Sequence, residues 1–170
     1  MLHEKIIHQI NEQINKEFFS AYLYLEISNY YQEQGLDGFA NWYNIQAQEE
    51  RDHAMLFLKY LQNNSAKVVL KAIDEPKTSF SDMLSPAKAA LAHEEFVTSS
   101  IHSIYDEAYQ VKDFRTMQFL DWFIKEQGEE ETTADGVIKK IELFGSDPKG
   151  LYLLDQELAT RVYAAPSLVL

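Results

Sequence analysis

Glu50 and His53 lie three residues apart, so on a helix their side chains share one face. A carboxylate with an imidazole suits Fe(II), Mn(II) or Zn(II) rather than a soft metal. Glu17, Glu94, Gln127 and Glu130 stand in similar places, inside runs whose apolar residues recur every three or four positions. A glutamate on the buried side of a helix is rare unless it is paired or bound to metal, because desolvating a carboxylate is costly. Taken singly, each of these glutamates reads more simply as part of a solvated face, but the spacing of the set argues otherwise. Glu17 to Glu94, Glu50 to Gln127 and His53 to Glu130 are each 77 residues apart (94 less 17, 127 less 50, 130 less 53). Two halves of the chain therefore carry polar core positions at matching heights, which independent surface residues have no reason to do. Glu17, Glu50, Glu94 and Glu130 together would also balance the charge of two divalent ions. A metal site is favoured over a purely structural polar core.

Positioning such residues requires long helices. Only four prolines occur, and the stretches 1–34, 36–64 and 87–147 contain none. The pattern predicts helices over about 3–34, 38–64, 85–111, 113–144 and a short one over 151–163. Gly35 serves as a C-terminal cap, Pro86 fits the first turn after Ser85, and Asp113 is a candidate N-cap. Each long segment carries a seam in steps of three and four. In the first it runs Ile7, Ile10, Ile14, Glu17, Ala21 and Tyr24; in the second, Phe39, Tyr43, Gln46, Glu50, His53 and Phe57. The first two segments, and the last two long ones, are joined by short turns and should form antiparallel hairpins. Residues 65–81 are different, because a structureless connection of that length needs a reason. A 27-residue helix is roughly 40 Å long, and 17 extended residues reach roughly 55 Å, enough to travel the whole bundle. The second and third helices are therefore expected to be parallel, with one long crossover between them.

Composition bounds the remaining possibilities. The chain has 170 residues, is 46% hydrophobic, and suits a single domain spanning 1–170 with a real core. A net charge of −12, from 27 acidic and 15 basic residues, argues against nucleic-acid and anionic-membrane partners. The absence of cysteine excludes disulfides, thiolate nucleophiles, iron–sulfur clusters and cysteine zinc sites. Met1 to Glu17 has no continuous apolar run, so no signal peptide is expected, and the expected location is the cytoplasm. No stretch approaches the ~18 apolar residues of a membrane span.

Several segments carry a family resemblance: Lys16-Glu17-Phe18 with Tyr24, Gln48-Glu49-Glu50-Arg51-Asp52-His53, His93-Glu94-Glu95, and Glu126-Gln127-Gly128-Glu129-Glu130. With these the chain resembles the bacterial non-haem ferritins, over its whole length. The resemblance implies an all-α, ferritin-like four-helix bundle with one long crossover and a short fifth C-terminal helix. It also implies an iron-storage protein with ferroxidase activity, oxidising Fe(II) with O2 or H2O2 at a buried di-iron centre. By the same resemblance Glu17 and His53 ligate one iron, Glu94 and Glu130 the other, and Glu50 bridges them. Gln127 would orient bound oxygen species or water. Tyr24, seven residues after Glu17, would lie beside the iron pair as a hydrogen-bond or electron donor; an ordinary core tyrosine is an equal reading. Glu49, Glu126 and Glu129 would form a third iron site toward the cage interior, sharing Glu130, against the plainer reading of a solvated face.

Haem is not expected. A bacterioferritin would place a methionine beside the Glu50–His53 motif, where Arg51 and Asp52 stand, and a second Glu-x-x-His on the fourth helix. His3, His8, His93 and His102 read as scattered surface residues, and Trp42 and Trp122 as packing. The family implies a homo-oligomeric shell, a 24-mer. The short fifth helix and the apolar tail Leu168-Val169-Leu170 are expected at contacts between subunits.

Overall fold

The computed structural model describes residues 2–170. Five helices form: α1 (Glu4–Glu33), α2 (Asp37–Asn63), α3 (Ser85–Gln110), α4 (Phe114–Phe144) and α5 (Pro148–Leu158). Local chemistry sets their ends. After α1 the chain turns through Gly35, whose φ of +75° is open to glycine; the amides of Gly35 and Leu36 then close on the carbonyls of Gln32 and Tyr31. The α4 start is capped by Asp113, whose carboxylate accepts from the Thr116 amide at 3.2 Å. Before α3, the Asp82 carboxylate takes the amides of Leu84 and Ser85, and Pro86 sits in the first turn.

Side-chain contacts fix the topology. Between α1 and α3 the pairs Lys5–Glu107, Gln13–Ser100 and Ser20–His93 run in opposite order. The same holds between α2 and α4, where Gln46 meets Glu130, His53 meets Trp122 and Tyr60 meets Thr116. With α1 and α2 joined as a hairpin, α2 and α3 are parallel. The connection climbs along α1. The Val69 amide donates to Asn11, Asn15 donates to the Ala72 carbonyl, Thr78 donates to Glu26, and the Tyr31 hydroxyl reaches the Met83 carbonyl. Each step lies further along α1, so the crossover runs the length of the bundle.

The core is divided into two apolar clusters. One holds Leu23, Ile27, Tyr31, Phe39, Tyr43, Val137 and Ile141; the other holds Ile10, Ile14, Phe57, Ile101, Ile104 and Phe123. On every long helix the candidate site residues (Glu17; Glu50 and His53; Glu94; Gln127 and Glu130) fall between members of the two clusters, so a polar layer crosses the middle of the bundle.

The end of the chain departs from the sequence reading. The fifth helix begins at Pro148 and ends at Leu158, rather than spanning about 151–163. Asp147 caps it by accepting from the Gly150 amide at 2.7 Å, and Pro148 is already helical, so three residues taken for a turn join the helix. Nor are α5 and the tail left wholly for a neighbouring subunit. Leu154, Asp155 and Leu158 are buried, and Asp155 Oδ1 accepts from the amides of Gly38 and Phe39 at 2.8 and 3.1 Å. Asp155 thus satisfies the otherwise open start of α2, where the preceding residue, Leu36, has no capping side chain. Residues 159–170 turn back along the bundle, and Leu168 packs against the second cluster. Val169 is exposed.

Candidate metal centre

Each long helix contributes to the polar layer. Glu17 comes from α1, Glu50 and His53 from α2, Glu94 from α3, and Gln127 and Glu130 from α4; all six are buried. Among the described residues, Glu17, Glu50 and His53 form the one set of three whose ligand-type atoms all lie within 4.8 Å of one another. His53 Nδ1 is 3.8 Å from Glu50 Oε2. The His53 ring is held edge-on by Trp122 and Phe123, at 5.6 and 5.8 Å between centroids. Glu17 Oε1 accepts from Gln13 Nε2 at 2.8 Å. The other oxygen of Glu17 and one oxygen of Glu50, Oε1, are buried with no hydrogen-bond partner. A buried acceptor left open is costly, and two in one pocket mark a place built for something with positive charge.

Glu94 and Glu130 complete the layer on its other side. They are less bare. Tyr24 donates its hydroxyl to Glu94 Oε1, and Gln127 Nε2 donates to Glu94 Oε2 at 3.0 Å. Gln127 also reaches Thr98 Oγ1 at 3.3 Å. Gln46 Nε2 donates to Glu130 Oε2 at 2.8 Å. Tyr24, Gln46, Glu94 and Glu130 line a narrow cleft that reaches Trp42 and Tyr43.

The electrostatics follow from crowding carboxyls in a dry layer. Burial, then the neighbouring charge of Glu50, raises the Glu17 pKa well above the ordinary carboxyl value. Glu50 is raised by burial, then by Glu94 and Glu130. Burial also raises Glu94, although the Tyr24 and Gln127 hydrogen bonds favour its ionised form. Burial and the Glu94 charge lift Glu130 to about 7. Tyr24 is held protonated, as a donor, first by burial and then by Glu94. The charges of Glu94 and Glu130 both act on Glu50, so the four carboxyls form one electrostatic unit.

Glu49, Glu126 and Glu129 lie outside the layer. Glu49 is paired with Arg161 at 2.6 Å, and Glu129 with Lys125 at 3.2 Å, where its side chain is exposed. Glu126 is half-buried; its pKa is raised by burial and by Glu129. The three do not converge into a compact set of ligand atoms here. They are close enough to interact: Glu126 and Glu130 both raise Glu49, which burial chiefly lifts to about 6.

Sequence reasoning assigns no role at the site to four residues that bear on it. Gln13 and Gln46 hold Glu17 and Glu130; each lies four residues before a site glutamate on its own helix, a spacing that could have marked them. His93 is not a surface residue. It is half-buried, 2.7 Å from Ser20 Oγ and packed on Phe19 and Tyr24, and burial lowers its pKa to about 4. Arg161 carries no local signal at all.

Comparison with known proteins gives one consistent result. A family model described as the ferritin-like domain matches residues 7–144. A bacterial non-heme ferritin of Campylobacter jejuni is 38% identical over 156 residues, covering 92% of this chain and 93% of the relative. One from Staphylococcus epidermidis is 37% identical, covering 96% of this chain and 98% of the relative. Among solved structures, an engineered closed form of the Archaeoglobus fulgidus ferritin superposes with a TM-score of 0.94 at 39% identity, over 96% of this chain and 100% of that one. The open-pore ferritin of the same archaeon gives 0.92 at 40% identity, over 95% and 98%.

Proposed function

This chain belongs to the ferritin family, and on that footing we propose that it is an iron-storage subunit that oxidises Fe(II) at a buried pair of metal positions. The observation that carries the reading is the cluster of Glu17, Glu50 and His53, with one oxygen of each carboxylate buried and unpartnered. Fe(II) is the substrate, and O2 or H2O2 is the oxidant. Glu17 and His53 would hold one ion, Glu94 and Glu130 the second, with Glu50 between them. Two divalent ions would offset the four carboxylates, whose raised pKa values record how poorly this layer tolerates bare negative charge. Metal entry therefore displaces protons from these carboxyls.

The chain's own residues prepare the site in three ways. Gln13 and Gln46 each fix one oxygen of Glu17 and Glu130, leaving the other oxygen to face a metal. Tyr24 and Gln127 each donate to one oxygen of Glu94, so Glu94 has one remaining lone pair on each oxygen to offer a metal. The Tyr24 hydroxyl and Gln127 amide would then stand beside the metal, as donors toward an oxygen species or water. Trp122 and Phe123 orient His53 and keep water from its ring. Oxidised iron would leave toward the cage interior by the acidic face of Glu49, Glu126 and Glu129, which we read as a third iron position sharing Glu130. The subunit works as part of a closed 24-mer shell in the cytoplasm; among the described residues no helix is long and apolar enough to cross a membrane.

The test is aerobic Fe(II) oxidation followed by absorbance, with native mass measurement of the assembly. Wild type should oxidise about two Fe(II) per subunit rapidly. Glu50→Ala should lose that phase, because both positions share its carboxylate. A variant that oxidised low iron loads at the wild-type rate would remove the assignment.

A further inference from the structure

After α5 the chain does not trail into solvent. It crosses the α2–α4 side of the metal layer, fastened to both helices. The Arg161 guanidinium pairs with Glu49 on α2 at 2.6 Å and lies 4.2 Å from the Trp42 ring centroid. Asn41 Nδ2 donates to the Arg161 carbonyl at 3.1 Å. Two residues later the Tyr163 hydroxyl donates to Asp52. The Ser167 hydroxyl then accepts from Trp122 Nε1 on α4 at 2.9 Å, and Leu168 packs on the apolar cluster beyond.

These anchors are the immediate neighbours of the site. Glu49 precedes Glu50 and Asp52 precedes His53; Trp122 lies against the His53 ring, and Trp42 lines the cleft that leads to Glu94 and Glu130. The ion pair is well shielded, with side-chain exposures of 18% for Arg161 and 16% for Glu49. A guanidinium so placed, stacked on an indole and paired with a carboxylate, is held by more than a surface charge pair. Its positive charge also favours the ionised form of Glu130. The charge that satisfies Glu49 in this structure is therefore carried by the chain itself.

We propose that residues 159–170 form a strap in which Arg161 stands where a divalent cation would bind Glu49, so that metal reaches the acidic face of Glu49, Glu126 and Glu129 only as the strap lifts. The inference rests on the functional reading above for the metal's route. The strap contact itself does not depend on it. Arg161 and a metal ion compete for one carboxylate, so filling the face and releasing the strap are two sides of one equilibrium. The chain would hold two ions per subunit firmly, and a third only after giving up the guanidinium contact. Arg161 is in this sense a specificity residue for the third position, and it acts on the inner pair only through its charge on Glu130.

The chain provides its own reporter, since its two tryptophans, Trp42 and Trp122, both touch the strap. In the metal-free full-length protein, Arg161→Gln should raise acrylamide quenching of tryptophan fluorescence about twofold, as local opening exposes both indoles. Glu49→Gln should do the same, and Arg161→Lys should largely restore wild-type quenching. With Zn(II) as a redox-inert probe, anomalous diffraction should show zinc at Glu17, Glu50 and His53 in both wild type and Arg161→Gln. Zinc against Glu49 should bind about tenfold more tightly in the variant, once its cationic competitor is gone. Unchanged quenching in both Gln variants overturns the strap latch, whatever the inner site does. Equal zinc affinity at Glu49 in the two proteins, or zinc bound there with Arg161 still in place, overturns the competition. Zinc missing from Glu17, Glu50 and His53 in both proteins counts instead against the functional reading, and the quenching result still decides the latch.

Discussion

Glu130→Gln separates what the metal layer costs the fold from what it does for chemistry. Glu130 is buried, accepts one hydrogen bond from Gln46, and has its pKa lifted from the ordinary 4.5 to about 7 by burial and then by the Glu94 charge. The folded state therefore holds this proton more tightly than the unfolded chain does. Below the unfolded value both states are protonated and the site costs nothing. As pH rises through the folded value, the native state must ionise a carboxyl it disfavours, and that stability is lost. At roughly 1.4 kcal/mol per tenfold in acidity, the loss amounts to about 3 kcal/mol above pH 7. Glutamine keeps the volume and an acceptor for Gln46 but carries no charge. Chelator-treated Glu130→Gln should thus be about 3 kcal/mol more stable than wild type at pH 8, or roughly 6–12 °C in Tm for a chain of this size. At pH 4 the two should unfold alike. Adding Zn(II) at pH 8 should reverse the order, because only wild type recovers the cost on binding. Urea unfolding followed by circular dichroism, with and without zinc, measures all of these quantities. A Glu130→Gln protein no more stable than wild type at pH 8, or equally stabilised at both pH values, would refute the reasoning.

Zinc supplied below one equivalent in an anaerobic crystal should appear first among Glu17, Glu50 and His53, whose ligand atoms already converge. Glu94 is instead already satisfied at both oxygens by Tyr24 and Gln127, so it gains less from a metal. His53→Ala should weaken that preference more than Gln127→Ala does, and prior filling of the Glu94–Glu130 position would sink the idea. Replacing Glu49, Glu126 and Glu129 together by Gln should leave the first rapid oxidation intact and slow later turnovers, and unchanged multi-turnover kinetics would remove the third position. Gly38→Ala should unseat α5, because a Cβ there would lie 1.7 Å from the Asp155 carbonyl oxygen. The expected loss is about 2 kcal/mol, from the forced shift and the weakened hold of Asp155 on the α2 amides, read as a lower unfolding midpoint. A wild-type midpoint would mean that α5 contributes nothing to the bundle.

Periodicity and spacing made much of this protein readable in advance. Helical repeat is a local property, so the sequence alone put Glu17, Glu50, His53, Glu94, Gln127 and Glu130 on the inner faces of four helices. The 77-residue offset put them in one layer, and the length of the 65–81 connection called for a crossover. What periodicity cannot supply is which inner-facing atoms meet. The offset treats the two halves as equivalent, yet packing draws Glu17, Glu50 and His53 together and leaves Glu94 gripped by Tyr24 and Gln127. That asymmetry depends on rotamers and on the lateral fit of helices, which no spacing along one helix encodes. The tail shows the same limit more sharply. Glu49 looked like a free metal ligand, and its partner Arg161 lies 112 residues away in a segment without helical repeat. Only the docking of α5, fixed by Asp155 on the α2 amides, aims that segment back across the bundle and gives Glu49 its cation.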